Sequence, residues 1–476
     1  LDNIEKAKTD ENIAGIYINS PIVNAGMSKA EEIRNKLLEF KETKKPIVAY
    51  NEVYAMKSYY LSSVADRLYI NPMGIIDHKG MSATVMFFKG LLEKLNIDLQ
   101  IFRLGKFKSA IEPFTLEKMS DSNRKQLKLL LNSVNNNIID SIASQRGIAK
   151  IKIHKDANQL KLSSAEICLE ENYVDGILYE DQVKDTLKML LGKNKLNIIS
   201  LNKYSNVKTK KKEISRNKIA IVYANGGINS GKGDENSIGS ITTSKAIEKA
   251  RKDEKVKAIV LRINSGGGSA LASDVIWRET VLAKNEKPLV VSFGDVAASG
   301  GYYVALGADT LIANPGTIVG SIGVIMNYPV ATELLGKVGI KFETVKSGGL
   351  KDVGSYSREV TEADRRHLND MVNDIHNQFI DAVKDNRAIN KSKLIKLADG
   401  RVFTGLQSKN LGLIDLLGTY EEAVSLAGVL GKIKGVPKTI QINKKNSSLI
   451  DMFTSNLEQA TSSWFDELPA YRWKME

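Results

Sequence analysis

The sequence repeats itself at long range. Tyr59-Tyr60, Ala65-Asp66, Asn71-Pro72 and Gly80 recur as Tyr302-Tyr303, Ala308-Asp309, Asn314-Pro315 and Gly323, each 243 positions on. Asp10-Glu11 matches Asp253-Glu254 at the same offset. Further along the offset becomes 241. The helical apolar stripe Leu127, Leu131, Val134, Ile138 and Ile142 is answered by Leu368, Val372, Ile375, Phe379 and Val383. Tyr173-Val174-Asp175 is answered by Leu413-Ile414-Asp415. Solenoid repeats are far shorter than this, so the unit duplicated is a whole domain. A chain of 476 residues also exceeds what one core normally accommodates.

Within each copy, apolar β-branched runs such as Lys257–Ile263 alternate with helical stretches such as Leu271–Ala283. That alternation predicts an α/β fold with a largely parallel sheet. The predicted domains are 1–190 and 216–430. A basic linker, 191–215, lies between them and contains Lys208-Thr209-Lys210-Lys211-Lys212, read as a solvated charge run. The tail, 431–476, carries Leu449, Ile450, Met452, Phe453, Trp464 and Phe465. It is amphipathic if helical, which suits a neighbouring subunit or a membrane.

With 42% hydrophobic and 26% charged residues, the composition is that of a water-soluble globular protein. No apolar run approaches the ~18 residues of a membrane span. The chain begins at Leu1 without Met, inside a helical pattern, so a preceding segment with a targeting or anchoring role is expected. The net charge of +13 fits a lysine-rich surface or an anionic membrane face. No aromatic-interleaved basic patch or zinc pattern points to nucleic acid. Cys168 is the only cysteine, so an internal disulfide and structural zinc are excluded.

The second copy carries chemistry that the first lacks. Pro288–Phe293 reads as a buried strand and Tyr302–Gly307 as a helix, with Ser299 in the turn between them. Free N–H groups at a helix start favour negative charge. Gly300 and Gly301 leave the hydroxyl uncovered and allow a substrate backbone to approach. At the 243 offset the first copy has Met56, Lys57 and Ser58 instead. The second copy also has Asn264-Ser265-Gly266-Gly267-Gly268 after a strand, where the first has Pro21-Ile22-Val23-Asn24-Ala25. Paired with Ser299, this loop reads as half of an oxyanion hole, with the Gly300 N–H as the other half.

The base is less obvious. None of the four histidines, His78, His154, His367 and His376, is placed by its sequence context for a triad with Ser299, although folding could bring His78 close. A lysine held neutral by burial is the other solution. The duplication singles out Lys108, in Gly105-Lys106-Phe107-Lys108-Ser109-Ala110-Ile111-Glu112-Pro113-Phe114. Its partner 243 positions on is Lys351, in Lys346-Ser347-Gly348-Gly349-Leu350-Lys351-Asp352.

These motifs, with Ala298-Ser299-Gly300-Gly301-Tyr302 and Gly320-Ser321-Ile322-Gly323, resemble the long, duplicated form of the signal peptide peptidase A (SppA, protease IV) family. That family lies in the Clp-protease/crotonase superfamily, and the resemblance covers nearly the whole chain. It implies a tandem duplication of a Clp-protease/crotonase-like domain and a cofactor-free, metal-free serine endopeptidase. Ser299 would be the nucleophile, Lys108 the base and Ser321 the residue orienting the lysine. Gly267 or Gly268, with Gly300, would form the oxyanion hole. It further implies hydrophobic peptide substrates, including released signal peptides, and a homotetramer anchored through an N-terminal segment. Its place would be the bacterial inner membrane, with the catalytic domains facing the periplasm.

Two features depart from the family pattern. Gly266 stands where the family usually has Pro. Lys351 lies in a stretch similar to the lysine motif of short, unduplicated members, which makes it the alternative base. If such members form rings, pairwise fusion would bring the first copy's lysine to the second copy's serine and turn Lys351 toward a domain where Met56 replaces serine. The competing readings are a crotonase-like acyl-CoA enzyme and a non-catalytic membrane scaffold. An α/β-hydrolase is disfavoured, because Ala297-Ala298-Ser299-Gly300-Gly301 lacks the first glycine of the Gly-x-Ser-x-Gly elbow.

Overall fold

The computed structural model describes residues 1–207, 214–234 and 236–442. Lys208–Lys212 and the apolar tail residues from Leu449 onward lie outside the described residues. Two parallel sheets, each with helices on its faces, account for the alternation seen in the sequence. The first has the order Ile16–Ile18, Ile47–Ala55, Arg67–Asp77, Gly176–Ile177. The second has the order Val402–Thr404, Ile318–Gly320, Leu289–Ala298, Val256–Ser265, Ile214–Asn225, Val436–Gln441, with Val402–Thr404 antiparallel. Val260, Leu261, Val290 and Val291 are fully buried, as expected of parallel strands covered on both sides.

The duplication is exact in backbone register. Ala55 pairs with Asp77 in the first sheet, and Ala298 with Gly320 in the second. Helix Lys89–Lys94 has its counterpart in Thr332–Lys337. The turns that follow place Asn96 and Gly339 in the left-handed region, at φ 51° and 84°. The two long helices, Asp121–Arg146 and Glu362–Asn386, carry the matching apolar stripes inward.

Two expected boundaries shift. The linker is not uniformly solvated, since Leu201–Ser205 is helical and Tyr204 is buried against the first copy, its hydroxyl donating to Asp10 at 2.9 Å. The second unit extends beyond residue 430, because Val436–Gln441 is its edge strand. Both shifts have the same origin: a short apolar segment flanked by charges still docks where a core edge is open.

Away from the strand ends, two contacts hold the copies together. Asp98–Leu104 of the first pairs antiparallel with Val324–Val330 of the second, from Leu104 opposite Val324 to Asp98 opposite Val330. Helix Met27–Lys41 of the first docks on the second through buried polar groups. Glu32 bonds Arg262 at 2.9 Å and accepts from Asn314 Nδ2 and Tyr420 N–H, while Glu31 accepts from Gly316 N–H at 3.0 Å. Burial, the largest influence, raises Glu31 to about 7. Such an interface tolerates little slip, because any displacement would leave buried charge unpaired. The docking fixes where the first copy's lysine falls.

Candidate active site

Strand Leu289–Ala298 ends at Ser299, and helix Gly300–Ala305 begins directly after it. Ser299 has φ 54° and ψ −124°, a region costing about 1–3 kcal/mol for a side-chain-bearing residue. Its N–H donates to Gly320 O at 2.8 Å, which anchors the strained turn. Asn264 Oδ1 accepts from the N–H groups of Asp295 and Val296 and secures the irregularity in the strand just upstream.

The glycines after the serine have a packing reason. A Cβ on Gly300 would lie 2.4 Å from Ser273 Oγ, and one on Gly301 2.8 Å from Ser265 O. They let the short helix press against the loop after strand Val256–Ser265, so steric room behind the serine requires them.

Lys108 arrives from the other copy. Its Nζ lies 2.9 Å from Ser299 Oγ, 2.8 Å from Ser321 O and 2.9 Å from Ser321 Oγ. The side chain is buried, and desolvation lowers its pKa from 10.5 to about 8. Lys351 is not brought to the site. It is exposed, on the surface segment that corresponds to the Lys108 loop.

A strap, residues 398–402, backs both polar partners. Phe107 N–H donates to Asp399 O, Ser321 N–H to Arg401 O, and Gly400 N–H to Ile322 O. Gly400, at φ 84°, lies so close that a Cβ there would be 2.7 Å from Lys108 Cβ. Gln126 accepts from Val402 N–H at 3.0 Å. His376 Nε2 lies 3.0 Å from Ala398 O, so this histidine holds the strap. None of the four histidines bonds Ser299 among the described residues. The strap and Gln126 were not singled out in the sequence; the 243-residue offset that marks Lys108 gives no sign of them.

The glycine loop sorts its donors. Gly267 N–H donates to Ser265 Oγ at 3.1 Å, so of the two loop glycines expected as oxyanion donors it is the one already engaged. A Cβ on Gly267 would lie 2.7 Å from Ser299 Cβ and 2.8 Å from Gly300 N. Its part is to leave that space open. The N–H groups of Gly268 and Gly300 remain without a partner among the described residues.

The model of Peptidase family S49 matches residues 39–194 and 282–434. The chain is 33% identical over 444 residues to Protease 4 of Haemophilus influenzae, covering 89% of this chain and 71% of that protein. It is 32% identical over 465 residues to the chloroplastic serine protease SPPA of Arabidopsis thaliana, covering 95% and 68%. A solved structure of a mutant 1510-N membrane-bound stomatin-specific protease is similar at a TM-score of 0.31 and 16% identity, over 48% of this chain and 99% of that one. The chain is a serine protease with an α/β fold in tandem duplication. It belongs to peptidase family S49. The acyl-CoA and scaffold readings give way to that match. Among the described residues no helix is long and apolar enough to cross a membrane.

Proposed function

We propose that the chain hydrolyses peptides through a Ser299–Lys108 dyad assembled from its two copies. One observation carries the reading: a buried lysine within hydrogen-bond distance of a serine held in a strained turn at a helix start. Neutral Lys108 directs its lone pair at Ser299 and donates its two N–H groups to Ser321 O and Oγ. Ser299 loses its proton to Lys108 as Oγ attacks the peptide carbonyl, and the N–H groups of Gly268 and Gly300 stabilise the oxyanion. The lysine ammonium then protonates the leaving amine. Water releases the acyl group with the same lysine as base.

The substrates are hydrophobic peptides, released signal peptides among them. The enzyme works as a homotetramer anchored at the bacterial inner membrane, with its catalytic domains in the periplasm. The similarity to Protease 4 of Haemophilus influenzae supports a peptidase in a bacterial setting.

Two results test the dyad with a fluorogenic hydrophobic peptide. Protonated Lys108 cannot accept a proton, so kcat/KM is expected to fall about tenfold per pH unit below about 8 and to level off above it. A flat profile between pH 6 and 8 would exclude Lys108 as the base. Lys351→Ala is expected to keep kcat within about twofold of wild type. Loss of activity there, with Lys108→Ala active, would move the base to Lys351.

A further inference from the structure

Gln126, on helix Asp121–Arg146, touches both the loop that carries Lys108 and the strap behind it. Its Oε1 accepts from Val402 N–H at 3.0 Å. Its Nε2 lies 3.3 Å from Ser109 Oγ and 3.5 Å from Phe107 O, on either side of Lys108. The orientation of the amide is fixed, because a backbone N–H only donates and a carbonyl only accepts.

These bonds close a circuit around the base. Val402 follows Arg401, whose carbonyl accepts from Ser321 N–H at 2.7 Å. Ser321 O and Oγ accept from Lys108 Nζ. Phe107 N–H also donates to Asp399 O at 3.0 Å. A loop tied to the strap by that bond alone can pivot about it, and the amide removes the pivot. Its acceptor is held from the far side. Ser109 Oγ donates to Asn123 Oδ1 at 3.0 Å, and Asn123 Nδ2 donates to the buried Glu112 at 2.9 Å. Gln126 and Phe107 line a pocket of about 300 Å³ with Leu129, Leu130, Phe403 and Leu411. A shorter side chain at 126 would extend that space toward the Lys108 loop.

We infer that Gln126 is a positioning residue for the base: by bridging Val402 of the second copy to Phe107 and Ser109 of the first, it sets where Lys108 Nζ lies relative to Ser299 Oγ. An amide of this length is what the place requires. A carboxylate lacks the donors, an apolar side chain lacks both functions, and asparagine is one methylene short. The inference rests on the Ser299–Lys108 reading.

The charged groups around Lys108 are Arg103, which donates to Lys108 O at 3.5 Å, the Asp399–Arg401 pair on the strap, His376 behind it, and Glu112. An uncharged residue at 126 leaves all of them in place, so the pH profile reports the position and hydration of the lysine.

The test is peptide hydrolysis across pH by wild type, Gln126→Ala, Gln126→Met and Lys108→Met. Gln126→Ala is expected to lower kcat by about 10- to 100-fold with KM within about twofold. The pH at which kcat/KM levels off, about 8 in the wild type, should rise by about half a unit to one unit, because a displaced lysine regains water. Gln126→Met keeps the volume and the helix propensity but neither hydrogen bond, so it should lose kcat comparably while melting within a few degrees of wild type. An unshifted profile, or activity restored by methionine, would show that the side chain only fills space and would overturn the inference. In a Ser321→Ala background the circuit no longer reaches the lysine through the hydroxyl, and Gln126→Ala should cost no more than about threefold. An undiminished loss there would also overturn it. Lys108→Met separates the two levels. If that variant is active, the dyad itself falls; if it is inactive while Gln126→Ala behaves as wild type, only the role of Gln126 falls.

Discussion

Ser299→Ala is expected to lower kcat for peptide hydrolysis by at least about 10⁴-fold, and Lys108→Met to do nearly the same. The double variant should be no slower than the worse single, because nucleophile and base act as one unit. Fluorophosphonate labelling should vanish in the first variant and slow in the second. Stability should move the other way. Lys108 has a folded pKa of about 8 against an ordinary 10.5, so between these values the folded protein binds fewer protons than the unfolded one. Stability therefore rises with pH across that window, and at pH 7 the wild type carries the cost of a buried charge. Lys108→Met should be about 1–3 kcal/mol more stable at pH 7, read as a higher Tm. An active Lys108→Met, or one destabilised at pH 7 and not at pH 10, would remove the lysine from the role given to it.

Gly267→Ala should lower kcat by about 10²–10³-fold while leaving the pH profile in place. The new methyl would sit 2.7 Å from Ser299 Cβ and 2.8 Å from Gly300 N, where the oxyanion must be received, and the position has φ 103°, strained for alanine. Gly266→Ala is the control. Nothing lies within 4 Å of a Cβ there, and activity should stay within about twofold. Thermal melts before and after establish that loss in Gly267→Ala is not unfolding. Equal losses in the two variants would mean that the loop acts through flexibility and not through the space it keeps clear.

The sequence discloses the pairing of the copies because duplication preserves spacing, and spacing is visible. Ser299 stands out because one copy kept a serine and glycines where the other has Met56, Lys57 and Ser58. The two lysines are equivalent by spacing, and only the docking of the copies separates Lys108, buried against Ser299, from Lys351 on the surface. The oxyanion donors were ambiguous for a related reason. Gly267 and Gly268 are identical in the sequence, and the hydroxyl of Ser265 decides which N–H is engaged. Nothing in the sequence marks Glu31 and Glu32 as buried; their burial goes with Gly316 and Arg262, nearly 300 and more than 200 residues away in sequence respectively. Long-range partners of this kind leave no local pattern.

On the proposed mechanism, the division of the dyad between the copies, with the strap of residues 398–402 behind both halves, also sets when the enzyme can first act. During synthesis the first copy leaves the ribosome with a base and no nucleophile. When Ser299 follows, its lysine still lacks the backing of Asp399 and Arg401. The site is completed only once residues 398–402 have been made. On that mechanism a polypeptide that stops short of the strap is held inert by its own order of assembly, and a protease released early from translation would threaten neither itself nor its neighbours.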